Sequence, residues 1–169
     1  ENNVAYDTFG HCYMVEDGME RFNTFKDNLG AKTKRSTQII PDLPGKNNGR
    51  ETDGSPATFW ITNPDNIWVG NVAAGGQNSG YWFELRNRPR GTMSKMYEGR
   101  EWSLREMKLG QFEGNVAHSY DSAGIRTYPN GYVPNEQAIF KDSRVYRNSN
   151  SGMFIHNSRN IALSGFHFA

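Results

Sequence analysis

The sequence predicts an all-β fold, a right-handed parallel β-helix, and three observations carry that prediction. First, a motif recurs. Asn3-Val4-Ala5 is followed by Gly10-His11-Cys12-Tyr13, Asn71-Val72-Ala73 by Gly80-Tyr81-Trp82-Phe83, and Asn115-Val116-Ala117 by Gly124-Ile125-Arg126-Thr127. A looser fourth copy runs from Asn148 to Gly152-Met153-Phe154-Ile155. Second, Asn23 and Asn28, then Asn66 and Asn71, stand five residues apart with an aromatic or branched residue between them. Third, only 36% of the 169 residues are hydrophobic while Gly and Asn each occur 18 times, a balance that favours short strands and many corners.

Each copy repeats Asn, corner, Gly and strand in the same direction, so the strands should stack in parallel; hairpins would reverse every second one. The Asn-to-Gly gap is 7, 9, 9 and 4 residues, which places the insertions at a corner. Asn tolerates the left-handed backbone, and stacked Asn side chains can hydrogen-bond as a ladder. Gly before each apolar triplet marks a bend, so Gly10, Gly80 and Gly124 are expected at equivalent corners. Phe59-Trp60-Ile61, Tyr81-Trp82-Phe83 and Met153-Phe154-Ile155 read as strands, without helical periodicity. An antiparallel β-sandwich would satisfy the composition but does not require the Asn-Val-Ala repeat.

The length suits one structural unit over residues 1–169. Two stretches break the repeat and read as long loop insertions. The first, about 32–55, holds Lys32, Lys34, Arg35, Lys46 and Arg50 with Pro41 and Pro44; the second, about 86–108, holds Arg86, Arg88, Arg90, Lys95, Arg100, Arg105 and Lys108. Nineteen basic against 18 acidic residues give a net +1, so no global field draws the chain to nucleic acid or an anionic membrane. The apolar runs are far below the ~20 residues of a membrane span, which argues against membrane insertion within this segment. The chain starts without Met and stops inside an apparent strand, as expected for a piece of a larger ectodomain. Cys12 stands alone, as a buried apolar residue or the partner of a cysteine elsewhere.

Further residues carry a family resemblance. Tyr6-Asp7, Gly10-His11-Cys12, Glu16-Asp17-Gly18, Asn23-Thr24 and Asn28-Leu29-Gly30 resemble the β-helix region of the family that holds the cell-migration-inducing hyaluronan-binding protein, the transmembrane cell-surface hyaluronidase and fibrocystin-L. Phe59-Trp60-Ile61-Thr62-Asn63-Pro64-Asp65-Asn66, Ala73-Ala74-Gly75, Gly80-Tyr81-Trp82-Phe83 and Ala117-His118-Ser119 continue it in order. The resemblance implies an extracellular or cell-surface ectodomain whose relatives include hyaluronan binders and depolymerases.

Three groups of residues are candidates for chemistry. His11, Glu16 and Asp17 crowd one corner with an imidazole and two carboxylates, a set suited to acid/base work or to calcium. On a strand Glu16 and Asp17 alternate sides, and the plainer reading is that they cap the Gly18 turn. His118, Tyr120, Arg126 and Tyr128 come from one coil, with Glu84 and Arg86 expected to stack beside them; Arg suits a carboxylate and an aromatic face suits a sugar ring. His118 read plainly is a solvated corner residue. Trp60 and Trp82 should share one face of successive coils, a binding strip if outward and core if inward, with Trp68 and Trp102 as further candidates. Arg86, Arg88 and Arg90 could draw a polyanion, diluted by Glu98, Glu101 and Glu106.

No zinc spacing, phosphate loop or nucleophile elbow is present, so no cofactor is expected beyond a weak case for calcium. The resulting reading is a surface β-helix segment that binds carbohydrate or scaffolds an assembly, with a polysaccharide or other protein chains as partners. The alternative is a depolymerase of an acidic glycan, a hyaluronidase-like hydrolase or a lyase, using His11, Glu16, Asp17, His118 or Arg126.

Overall fold

Each turn of the chain delivers three short strands, and each strand stacks on the one three places earlier. The computed structural model describes residues 1–36, 54–91, 94–95 and 103–169. The first sheet holds β1 (Val4–Tyr6), β4 (Leu29–Thr33), β7 (Val72–Gly76), β10 (Val116–Tyr120), β13 (Arg144–Tyr146) and β16 (His167–Phe168). The second holds β2 (Tyr13–Val15), β5 (Ala57–Ile61), β8 (Ser79–Phe83), β11 (Ala123–Thr127) and β14 (Ser151–Ile155). The third holds β3 (Thr24–Lys26), β6 (Ile67–Val69), β9 (Gln111–Glu113), β12 (Ala138–Lys141) and β15 (Ile161–Ser164). Neighbours pair in parallel throughout, so the fold is a parallel β-helix of five coils and the start of a sixth. Parallel crossovers of this kind wind right-handed almost without exception.

The corner before the first sheet explains the Asn signal. Asn3, Asn28, Asn71 and Asn115 lie in register, with Ser143 next in line. Asn71 Oδ1 accepts from Asn28 N and Nδ2, at 3.1 and 2.8 Å, while its Nδ2 donates to Phe25 O and Asn115 Oδ1. Asn115 N donates to Ser143 Oγ, so Ser143 continues the ladder. Each buried amide is thereby satisfied on both its oxygen and its nitrogen. A second ladder joins Asn23 to Asn66. The left-handed residue is the one before each ladder position: Asn2, Asp27, Gly70, Gly114, Asp142 and Gly165, with φ between 45° and 65°. A second left-handed column, Asp7, Lys32, Gly75, Ser119 and Arg147, bends each coil as it leaves the first sheet's outer run.

Two expectations require correction. Asn148 does not continue the ladder; it sits one corner later, where its Oδ1 accepts from Tyr120 N. Gly80, Gly124 and Gly152 do stack on each other, but inside β8, β11 and β14 rather than at bends. Gly10 lies two residues out of their register, because Cys12 and Thr58 occupy the matching positions. The shorter 7-residue gap of the first coil is the reason.

Inside the coils, side chains stack by type. Tyr13, Phe59 and Tyr81 lie face to face at 4.9 and 4.6 Å, and Phe25 lies on Trp68 at 4.1 Å. These distances match the ~4.8 Å separation of neighbouring strands, so aromatic columns add ring stacking to burial at no cost in register. Trp68 is thus core, not platform. Of the first insertion, Lys32 and Thr33 belong to β4 and Lys34 bridges to Phe9, while Lys46, Arg50, Pro41 and Pro44 lie outside the described residues. Of the second, Leu104–Glu106 forms a 3-10 turn whose Leu104 is buried over Gly18; Arg100, Trp102, Glu98 and Glu101 lie outside the described residues.

Candidate functional site

Strand alternation sends Phe59, Ile61, Tyr81 and Phe83 into the coil interior and turns Trp60 and Trp82 out of it. The outward column along the second sheet reads Met14, Trp60, Trp82, Arg126, Phe154. Trp60 and Trp82 face outward yet are 1% and 6% exposed, in a second small core with Ala57 and Met14. They are walls of a cleft, not an open platform. The cleft measures about 320 Å³ and is lined by Ser55, Trp60, Trp82, Glu84, Arg86, Arg126, Tyr128 and Pro129.

The arginines divide into two kinds. Glu84 is buried and accepts from Arg86 Nε at 2.8 Å and from Arg90 Nη2. Burial holds its carboxyl above the usual carboxylate range, against the pull of both guanidiniums. Arg90 also approaches the Trp60 ring at 5.7 Å, so it is a buried counter-charge rather than a surface cation. Arg126 differs. Its guanidinium lies 3.7 Å over the Trp82 ring and 4.8 Å over Tyr128, and its Nη1 donates to Asn78 Oδ1 at 3.0 Å. Among the described residues no carboxylate forms an ion pair with it, and its Nε is buried without a hydrogen-bond partner. Burial pushes its pKa down to about 10, so the cation is only partly hydrated, and among the described residues it has no counter-charge.

His11 stands behind the cleft, its ring 4.5 Å from Trp60. The Ala57 N–H donates to His11 Nδ1 at 3.0 Å, while Nε2 is buried without a partner among the described residues. Burial, aided by the charge on Arg90, pulls its pKa down to about 4. The Gly18 turn is capped by Glu20, whose carboxylate accepts from Asp17 N and Gly18 N, and not by the side chains of Glu16 or Asp17. Burial, then the nearby Glu20, raises the Asp17 carboxyl. Glu16 follows Val15 in the outward column that continues through Thr62 and Glu84.

The expected set of His118, Tyr120, Arg126 and Tyr128 does not assemble. His118 lies on the outer face of the first sheet, stacked on Tyr146 at 4.8 Å, and Tyr120 is in the core. Arg126 and Tyr128 do meet, with Glu84 and Arg86 beside them. Arg88 is exposed. Among the described residues no group of three or more His, Cys, Asp or Glu side chains could hold a metal ion. The Glu84 clamp went unread in the sequence, although counting two residues on from outward Trp82 places Glu84 on the same face.

Coil geometry and cleft together define a class: a parallel β-helix module carrying an aromatic and arginine-lined cleft on its second sheet. The chain belongs to the CEMIP beta-helix family, whose profile matches residues 1–125. It is 34% identical over 125 residues to fibrocystin-L of Homo sapiens, covering 74% of this chain and 3% of that protein. It is 32% identical over 157 residues to the cell migration-inducing and hyaluronan-binding protein of Homo sapiens, covering 85% and 11%. It is 31% identical over 160 residues to the cell surface hyaluronidase of Danio rerio, covering 86% and 11%. The chain therefore spans 3% to 11% of the length of these relatives. The profile stops one residue short of Arg126, so the case for that side chain stands on its geometry.

Proposed function

We propose that this β-helix is an extracellular or cell-surface module that binds an acidic carbohydrate in the cleft on its second sheet. The single observation that carries this is Arg126, a partly buried cation stacked on Trp82 and Tyr128 and lacking a carboxylate partner among the described residues. A uronate carboxylate supplies the missing charge and fits a guanidinium in two-pronged fashion, while a sugar face packs on the exposed Tyr128 ring. The names of two relatives point to hyaluronan as the first acidic glycan to try.

The test is a titration of the full-length protein with hyaluronan and with a neutral polysaccharide. Hyaluronan should bind in preference, and Arg126→Ala should weaken it by about tenfold or more, the effect of losing one charge-assisted contact. Arg126→Lys should restore little, since an ammonium cannot stack as a guanidinium does. Equal affinity of wild type and Arg126→Ala sinks the reading.

A depolymerase reading draws its support from Asp17, whose raised carboxyl moves in the direction a general acid requires. Shortening of the bound chains, lost in Asp17→Asn and kept in His118→Ala, would establish it. Intact chains would leave the module as a binder.

A further inference from the structure

We infer that the bound chain lies along the solenoid axis, crossing the strands, and that a second subsite on the far side of Arg126 holds its continuation. This rests on the carbohydrate-binding reading above. A second cleft of about 150 Å³ shares Arg126 and Tyr128 with the first and is otherwise lined by residues such as Asn150, Ser151 and Phe154 of the next coil. Two aromatic rings line it, Tyr128 and Phe154, 6.5 Å apart, and His156 outside the lining packs against both, at 5.4 and 5.8 Å. Tyr128 is 40% exposed, unlike the buried tryptophans on the other side.

Arg126 is thus the shared wall of two clefts that succeed one another from coil to coil. From Trp60 through Trp82 and Arg126 to Phe154 the outward column climbs three rungs, about 14 Å at ~4.8 Å per rung. A linked pyranose advances a polysaccharide by about one rung, so about three consecutive sugars fit the column. The charge pattern gives the order: one uronate at Arg126, with one neighbouring sugar in the first cleft beside Arg86 and Pro129 and the other against Tyr128 and Phe154 in the second. A site built this way grips the interior of a chain and gains affinity from length.

The experiment measures binding of a hyaluronan disaccharide, tetrasaccharide and octasaccharide to the full-length protein by calorimetry. The octasaccharide should bind at least about tenfold more tightly than the disaccharide, and Phe154→Ala should cost the octasaccharide about fivefold to tenfold, the worth of one aromatic contact. The disaccharide should change less than twofold. Thermal melting confirms that the variant is folded, and should it not be, Phe154→Leu, which removes the ring and keeps an apolar side chain, carries the same expectation. Affinity independent of length, or equal losses for short and long chains in Phe154→Ala, overturns the second subsite while leaving the first cleft standing. Failure of the wild type to bind any of the three overturns the carbohydrate reading itself, and this inference with it.

Discussion

Tyr120 reaches across the bare backbone of Gly80. The tyrosine belongs to the fourth coil and the glycine to the third, yet the Tyr120 hydroxyl meets Thr58 Oγ1 of the second coil at 2.5 Å. Thr58 in turn lies 2.7 Å from Thr33 Oγ1, so a chain of hydroxyls ties three strands through an otherwise apolar interior. A Cβ on Gly80 would fall 2.6 Å from Gly124 O, 2.8 Å from Ala117 Cβ and 3.1 Å from Tyr120 Cε2. The first of these is backbone and cannot swing away.

Gly80→Ala should therefore destabilise the protein by about 1–3 kcal/mol, the range for overpacking a closed core. Urea denaturation checks this. Gly10→Ala makes the contrast: no atom lies within 4 Å of its Cβ position, so its cost should come only from the left-handed backbone at φ 80°, about 1 kcal/mol. Equal costs at the two glycines would mean that the gap for Tyr120 is not what selects Gly80.

These two glycines also show what the sequence could reveal. The repeat of Asn-Val-Ala was legible because its cause is local: the amide ladder places Asn at the same corner of the first four coils. The parallel order and the strands at Phe59, Tyr81 and Met153 followed from it. What escaped was whatever depends on an exact count between coils. Gly10 looked equivalent to Gly80 although Cys12 holds that place, and Asn148 looked like a ladder residue although Ser143 does. Left-handed residues such as Lys32, Ser119 and Arg147 carry no compositional mark, since the fold rather than the side chain imposes their conformation. The site was half legible for the same reason. Trp60 and Trp82 followed from alternation, whereas the pairing of Arg86 and Arg90 with Glu84 required the course of a loop.

Glu84 should prove structural in a measurable way. It is 2% exposed and takes two arginines, one of which, Arg90, packs beside Trp60. Glu84→Ala leaves the Arg90 guanidinium buried without its counter-charge, and the expected loss is about 3 kcal/mol or more. Glu84→Gln, which keeps an acceptor, should lose less. Tryptophan fluorescence should shift to the red in Glu84→Ala as Arg90 withdraws from Trp60 and water enters. An unshifted spectrum with full stability would show that the clamp contributes nothing to closing the cleft.

His11 should give the protein a dependence on pH that a variant removes. Its folded pKa of about 4 lies below the ordinary histidine value of 6.5, so the unfolded chain takes up the proton first. Above pH 6.5 both states are neutral and the full stability is present; it falls as pH drops from 6.5 toward 4, and then levels off. The shift corresponds to a loss of up to about 3 kcal/mol across that window. Carboxylates titrate near its lower end, so the measurement is a difference: urea midpoints of wild type and His11→Asn at several pH values from neutral to acidic. Wild type should lose stability faster than the variant on acidification, and parallel curves would overturn the assignment. The cause is burial of the imidazole, with Arg90 opposing the added charge; a proton on Nδ1 could still be donated to Ala57 O, 3.3 Å away, which offsets only part of that cost.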